Sequence, residues 1–283
     1  MPIVLFGDGA RLEALLAREG AGGVAVVDTG AVSDAAIAAR APTDEGGRAQ
    51  LAALDAAIDR ALAGEGAVVT APTSKEAIER SGTPFIGQTE HLARRAGLAD
   101  DAVTMMFLGP RLSVSLATTH LALRAVPDAI TAPRVERAIV HLAEALGRLG
   151  VARPRIVVSG ANPHAGEAGL FGREELDVIG PATARARGLL PHVTLSGPIG
   201  AESALRYAAS GEVDGVVAMF HDQATIASKL LDWGAAVNVT WGLPFVRTSV
   251  DHGVAYDAAA SGTADAAGMG AALDLAWRLL GHA

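Results

Sequence analysis

Short apolar runs, each closed by glycine or proline and followed by residues with helical spacing, limit the fold of this chain most. IVLF at 3–6, GVAVVD, AVVTAP, RIVVSG at 155–160, HVTLSG and GVVAMF are too short for buried helices and read as strands. RLEALLAREG reads as a helix ended by Gly20. The stretch from Asp44 to Gly64 puts Leu51, Leu54, Ile58 and Leu62 on one helical face. SKEAIERSG begins at a capping Ser74 and stops at Gly82. PRVERAIVHLAEALGRLG aligns Val135, Ile139, Leu142, Leu146 and Leu149, with Pro133 in its first turn and Gly150 behind its last. The runs 103–109 and 112–120 flank Gly109-Pro110 and read as a hairpin, and a last helix spans about 266–280. Strands alternating with helices in this way predict an α/β fold around a mixed sheet.

With 283 residues the chain has room for one or two domains. A net charge of -8 argues against nucleic-acid binding, which needs a basic face. Cysteine is absent, which removes disulfides, thiolate nucleophiles and cysteine metal sites. The start MPIVLFGDG has no basic leader, and no apolar run is long enough to span a bilayer, so a cytoplasmic protein without a membrane partner is expected.

Chemistry concentrates in residues 217–253. His221 stands beside Asp222 and Gln223, then come Lys229, Asn238, Arg247 and Asp251-His252-Gly253. Lysine is the exception in this composition: of 23 basic residues only Lys75 and Lys229 are lysine. A lysine ammonium is a compact charge whose pKa moves on burial, which the arginine fork does not imitate. Lys75 follows a strand at the start of a helix, where open α/β sheets place ligands. Lys229, Asn238 and Arg247 offer a point charge, an amide and a planar fork to the oxygens of a phosphate or carboxylate. Gln88-Thr89-Glu90 opens a short helix, whose free amides suit an anion; a plain cap by Thr89 explains the same residues. His120, His164 and His221 each stand near a strand end. Three neutral imidazoles could share a metal, although their wide separations match no local metal signature and ordinary core or loop histidines fit as well. His141, on the helix after Pro133, reads as ordinary surface.

Taken in order, TAPTSK, PFIGQTE, LATTHLALR, NPHAGEAGLFGREE, GPIGAE, MFHDQ, NVTWGLPFVRTSVDHG and GTADAAG resemble the 4-hydroxythreonine-4-phosphate dehydrogenase (PdxA) family from about Gly46 to the C-terminus. The resemblance implies a two-domain fold of the isocitrate/isopropylmalate dehydrogenase type. Residues 1–86 with 254–283 would form the NAD side, and 87–253 the metal, substrate and dimerisation side. It implies NAD-dependent oxidation and decarboxylation of a 4-phosphorylated 3-hydroxy acid such as 4-phosphohydroxy-L-threonine, in a homodimer with a shared active site. D-threonate or D-erythronate 4-phosphate, an unphosphorylated diol acid, and a non-catalytic phospholigand-binding homologue are the alternatives. By motif, His120, His164 and His221 would hold a divalent metal, zinc first, with cobalt, manganese or magnesium as alternatives. Gln88, Thr89, Lys229, Asn238 and Arg247 would bind the substrate. His252, Gly253 and Asp257 would seat NAD, and Lys75 or Asp222 would move the proton.

Two departures stand out. The family's N-terminal strand and loop of the type GDPAGIGPE has no counterpart, so the sheet is expected to lack a strand and the cleft one wall. Gln88 replaces the family's histidine, and a neutral amide brings a hydrogen bond without a charge.

Overall fold

A computed structural model describes residues 1–99 and 101–282, with the backbone alone considered at 259 and 260. The chain begins β1 (Val4–Gly7), α1 (Gly9–Arg18), β2 (Ala25–Asp28), α2 (Asp34–Ala39), α3 (Asp44–Leu62), β3 (Val68–Thr70), α4 (Lys75–Arg80) and α5 (Gln88–Arg95). Next come β4 (Thr104–Leu108), β5 (Ser113–Leu116), α6 (Val126–Ala129), α7 (Ala132–Arg148), β6 (Arg155–Ser159), α8 (Gly180–Leu189), β7 (Thr194–Ile199) and α9 (Ala201–Ala209). It closes with β8 (Gly215–Ala218), α10 (His221–Leu231), β9 (Val237–Trp241), β10 (Arg247–Ser249), α11 (Tyr256–Ser261) and α12 (Ala267–Leu279).

Among the described residues the strands form an eight-stranded mixed sheet, β3-β10-β9-β4-β5-β8-β6-β7, and a separate parallel pair, β1-β2. The expected hairpin is the antiparallel pair β4-β5, joined to a parallel block β5-β8-β6-β7. β5 ends at Leu116, so His120 lies in the following loop and not at a strand end.

Both faces of the large sheet are covered. On one, α7, α8 and α12 bury Ile139, Leu142, Ala186 and Leu275 against Met106, Val158, Val217 and Val239. On the other, α9 and α10 pack Ala204, Ala208 and Ala224 against Phe107, Val114 and Val216. Further along this second face, Ile58, Ile78, Phe85 and Leu92 from α3, α4 and neighbouring segments pack with Leu243 and Phe245 of the β9–β10 turn. Sequence spacing thus became layers: the apolar stripe of α7 is buried, and strand residues alternate between the two faces.

His141 corrects the expectation of ordinary surface. Its Nδ1 lies 2.8 Å from Thr104 Oγ1 and the ring is largely buried, packed so closely on the turn after β9 that a Cβ at Gly242 would fall 2.8 Å from its Cε1. Its place on an amphipathic helix gives no sign of this contact; the start of β4, at Thr104, packs against it.

The α3–α4 contact is closer still. A Cβ on Gly47 would sit 2.0 Å from the Ala77 carbonyl oxygen, so the two helices meet backbone to backbone and thereby place α4 at the sheet edge. Gly47→Ala is expected to lower stability by about 1–3 kcal/mol through forced separation of these helices. Gly147→Ala in α7, where nothing lies within 4 Å, should raise it by about 0.4–1 kcal/mol. Denaturant unfolding of the two variants reads both; equal effects at both positions would contradict the packing.

Candidate active site

Register builds the floor of a cleft. Phe107 pairs with Asn238, which pairs with Ser249, which pairs with Thr70; one step along, Met105 pairs with Thr240, Thr240 with Arg247, and Arg247 with Val68. Strand side chains alternate in direction, so Met105, Phe107, Asn238, Arg247 and Ser249 all face one way. They floor a cavity of about 310 Å³ on the second face of the sheet, between α10 on one side and the starts of α4 and α5 on the other. The cavity gathers Gln88, Thr89, His120, His221, Lys229, Asn238, Arg247, His252 and Gly253. Four expected residues lie outside its lining: Lys75, Asp222, His164 and Asp257. A second cavity, about 470 Å³, opens beneath the β9–β10 turn beside Glu144, Arg148 and Trp241, away from the histidines.

Arg247 is buried to 3% exposure in the cavity floor. Its Nη1 donates to Thr240 Oγ1 at 3.0 Å and Asn238 Oδ1 at 3.3 Å, and its Nη2 donates to Thr70 Oγ1 at 2.9 Å and to Gln88 Oε1. All four acceptors are neutral. No carboxylate pairs with the guanidinium among the described residues, and Nε has no acceptor. Burial pushes its pKa down to about 10, against an opposing pull from Glu90, so the group remains charged at neutral pH. Gln88 is held by Thr70 and Arg247 at its carbonyl and donates from Nε2 to Thr73 Oγ1 and the Ala71 carbonyl. Thr89 is a buried first-turn residue; Gly87 occupies the cap of α5, which has no side-chain cap.

α10 supplies the opposite wall. His221 is its first residue, and Lys229 lies eight positions on, about two turns along the same face. Lys229 Nζ donates to the Asp251 carbonyl at 3.3 Å and lies 3.5 Å from its carboxylate. Burial raises the Asp251 pKa even though Lys229, His221 and His252 oppose it. Asp251 is therefore a half-buried carboxyl at the cavity whose pKa lies above the ordinary carboxylate value, and the sequence named it only as part of a motif.

The His120 and His221 rings are 5.3 Å apart, inclined at 47°. Burial lowers the His120 pKa, with Glu90 pulling it up and His221 and Lys75 pushing it further down. His221 Nδ1 lies 2.7 Å from the exposed Asp222 carboxylate, and the residue lines the cavity. A neutral imidazole and one oriented by a carboxylate are suitable metal donors. Among the described residues no three His, Cys, Asp or Glu side chains of this one chain gather closely enough to hold an ion. His164 is exposed on the loop after β6. Lys75 is exposed and faces Glu79 at 3.7 Å, reaching His120 by charge only. His252 lies at the cavity rim with Nδ1 3.0 Å from the Gly253 carbonyl, while Asp257 is exposed in α11.

A helix-flanked mixed sheet carries a cleft lined by cationic and imidazole side chains, which defines an α/β protein with a small-molecule cleft of a chemistry suited to anions. The chain belongs to the PdxA family: the profile described as "Pyridoxal phosphate biosynthetic protein PdxA" matches residues 10–276. A 4-hydroxythreonine-4-phosphate dehydrogenase of Chromobacterium violaceum is 49% identical over 241 residues, covering 84% of this chain and 72% of that protein. The structure of the Klebsiella pneumoniae 4-hydroxythreonine-4-phosphate dehydrogenase superposes with a TM-score of 0.83 at 34% identity, covering 98% of this chain and 90% of the other. A terephthalate 1,2-cis-dihydrodiol dehydrogenase from Burkholderia xenovorans superposes with a TM-score of 0.69 at 32% identity, covering 97% and 89%. The protein is thus an enzyme of the dehydrogenase class. No described helix is long and apolar enough to cross a membrane.

The buried histidines also set a pH response. Burial holds His141 below its ordinary value of 6.5, with Arg137 adding to and Glu144 opposing the effect. Below about pH 6.5 the unfolded chain therefore binds a proton that the native ring refuses, so stability is complete above that pH and falls as acid is added. His141→Gln should flatten part of the decline in unfolding free energy on the acid side. An unchanged slope would contradict a neutral, buried His141.

Proposed function

We propose that the protein oxidises the secondary alcohol of a 4-phosphorylated 3-hydroxy acid, 4-phosphohydroxy-L-threonine first, with NAD, and that the β-keto acid formed loses carbon dioxide. The observation that carries this reading is Arg247, a fully buried guanidinium whose donors meet only neutral oxygens. Such a cation gains most from a multiply charged anion, and Lys229 and Asn238 line the same cavity. The phosphate would sit toward Arg247, Asn238, Gln88 and Thr89, leaving the hydroxy-acid end toward His120 and His221.

In the oxidation the carbinol C–H bond breaks with its electron pair leaving as hydride, while the hydroxyl proton passes to a base; loss of carbon dioxide then leaves an electron pair that a proton must quench. NAD, when held by His252, Gly253 and Asp257, supplies the hydride acceptor. A divalent metal, zinc first, supplies Lewis acidity toward the alcohol and the decarboxylating carbonyl when held by His120, His221 and His164. Asp251, which lines the cavity, would exchange protons at the hydroxy-acid end, with Asp222 outside the lining as the alternative; Lys75 would act there through its charge on His120. The division into 1–86 with 254–283 and 87–253 belongs to the same reading, with the cleft between the two parts.

His164 would come from a second copy of the chain. It is exposed and outside its own cavity, while Ile226, Leu230 and Trp233 present an exposed apolar strip on and just beyond the helix that begins with His221. Exposed apolar groups of this size favour burial by a partner. A homodimer with a shared site accounts for both.

Likeness to the dihydrodiol dehydrogenase keeps an unphosphorylated substrate as the second reading, against which the uncompensated Arg247 weighs. The test is NADH formation from 4-phosphohydroxy-L-threonine, from D-threonate and D-erythronate 4-phosphates and from a cis-dihydrodiol acid, each with divalent metal. The phosphorylated acids should turn over, and Lys229→Ala should raise their KM roughly ten- to hundredfold. Turnover of the diol alone would transfer the assignment to the second reading. Phosphosubstrate binding without NADH from any compound would make the protein a binding homologue.

A further inference from the structure

Two polar side chains outside the substrate cavity, the buried Glu175 and the half-buried Gln223, join the segments that carry His164 and His221. Glu175, 4% exposed, accepts from the Ala161 and Asn162 backbone N–H groups at 2.8 Å each through Oε1, and from Asn162 Nδ2 at 3.0 Å through Oε2. The loop wraps it closely: a Cβ at Gly160 or Gly166 would fall 2.9 and 2.7 Å from its two carboxylate oxygens. Beyond Asn162 the backbone turns left-handed, with φ of 53° at His164, 52° at Ala165, 78° at Gly166, 45° at Glu167 and 54° at Ala168. Non-glycine residues in this region cost roughly 1–2 kcal/mol each, so contacts must impose the run. From the other side, Gln223 in the first turn of α10 uses its whole amide. Oε1 accepts from the Met219 N–H at 2.7 Å and from Ser159 Oγ at 3.0 Å, and Nε2 donates to the Gly160 carbonyl at 2.9 Å.

We propose that Gln223 and Glu175 are positioning residues that fix the His164 loop relative to the start of α10, and so set where His164 and His221 can be presented as ligands. The inference rests on the reading of His120, His164 and His221 as the metal-binding set. Neither residue lines the substrate cavity. Gln223 ties the end of β6 to the end of β8, and Glu175 takes over at the next two residues, so a continuous hydrogen-bonded network runs from Met219 to Asn162. Burial alone would raise the Glu175 pKa, but the donors from Asn162 and Ala161 outweigh it, and the carboxyl lies below its ordinary range. The anion is thereby kept at neutral pH, as an acceptor for three N–H groups must be. Without this grip the loop would be free to leave its strained left-handed pose, and His164 would be presented in many positions.

The test uses full-length protein and cobalt alone as the probe, with three readouts: equilibrium cobalt binding, amide hydrogen exchange at Ala161 and Asn162, and thermal unfolding. Gln223→Met keeps the shape of the side chain and removes its polar groups; Glu175→Gln keeps one oxygen for the two backbone donors and loses the contact to Asn162 Nδ2; Glu175→Ala removes all three. Gln223→Met and Glu175→Ala should weaken cobalt binding roughly 10- to 100-fold. Exchange at Ala161 and Asn162 should quicken in Glu175→Ala, and Glu175→Gln should recover most of both losses. Should Glu175→Ala not fold, Gln223→Met and the partial loss in Glu175→Gln decide. Wild-type cobalt affinity in the folded variants overturns the proposal while His164→Ala still loses cobalt. Wild-type affinity in His164→Ala instead removes the ligand assignment, and the proposal with it; fast exchange in Glu175→Ala would then report a loop clamp of no consequence for metal.

Discussion

The site depends on one buried cation. Arg247 reaches from β10 to Thr240 and Asn238 on β9, Thr70 on β3 and Gln88 on α5, and so ties the sheet to the helix that walls the cleft. Burial pulls its pKa down to about 10, so holding the charge in the cavity floor works against the fold. Neutral acceptors satisfy the geometry of the fork without cancelling its charge. An anion entering the cavity therefore meets a donor array already in place and already desolvated, which is where electrostatic attraction is strongest.

The remaining parts are arranged around that cation by the sheet. Successive residues of a strand face opposite ways, and antiparallel pairing of β4, β9 and β10 lines up Phe107, Asn238 and Ser249 in one row and Met105, Thr240 and Arg247 in the next. α10 then crosses the same face with His221 at its start and Lys229 two turns on, so one helix brings an imidazole and an ammonium to the same cavity. Its third polar residue, Gln223, points to the strand ends instead and is spent on the His164 loop.

Much of this was legible from local pattern. The stripe from Val135 to Leu149 is α7, the short valine-rich runs are strands, and the scarcity of lysine singled out Lys229, which lines the cavity. Strand order was not legible, because period-2 alternation shows that a strand has two faces without saying which neighbour it pairs with. That is why Asp251 was not picked as a proton carrier and Lys75 was. The first is raised by burial at the cavity, a tertiary effect, whereas the second stands at a favourable strand-to-helix junction but extends into solvent. His141 was misread because helical spacing does not reveal that the start of β4 packs against it. Glu175 was not singled out from the sequence, because its contacts depend on a loop that folds back over it.

The most direct measurement is calorimetric binding of 4-phosphohydroxy-L-threonine and of unphosphorylated 4-hydroxy-L-threonine to the wild type and to Arg247→Met. If the uncompensated guanidinium is the phosphate seat, the phosphorylated ligand binds the wild type far more tightly, and Arg247→Met removes most of that advantage, about 100-fold or 3 kcal/mol, while leaving the unphosphorylated ligand nearly unaffected. Equal binding of both ligands by the wild type, or an advantage for the phosphate that survives Arg247→Met, would contradict the account.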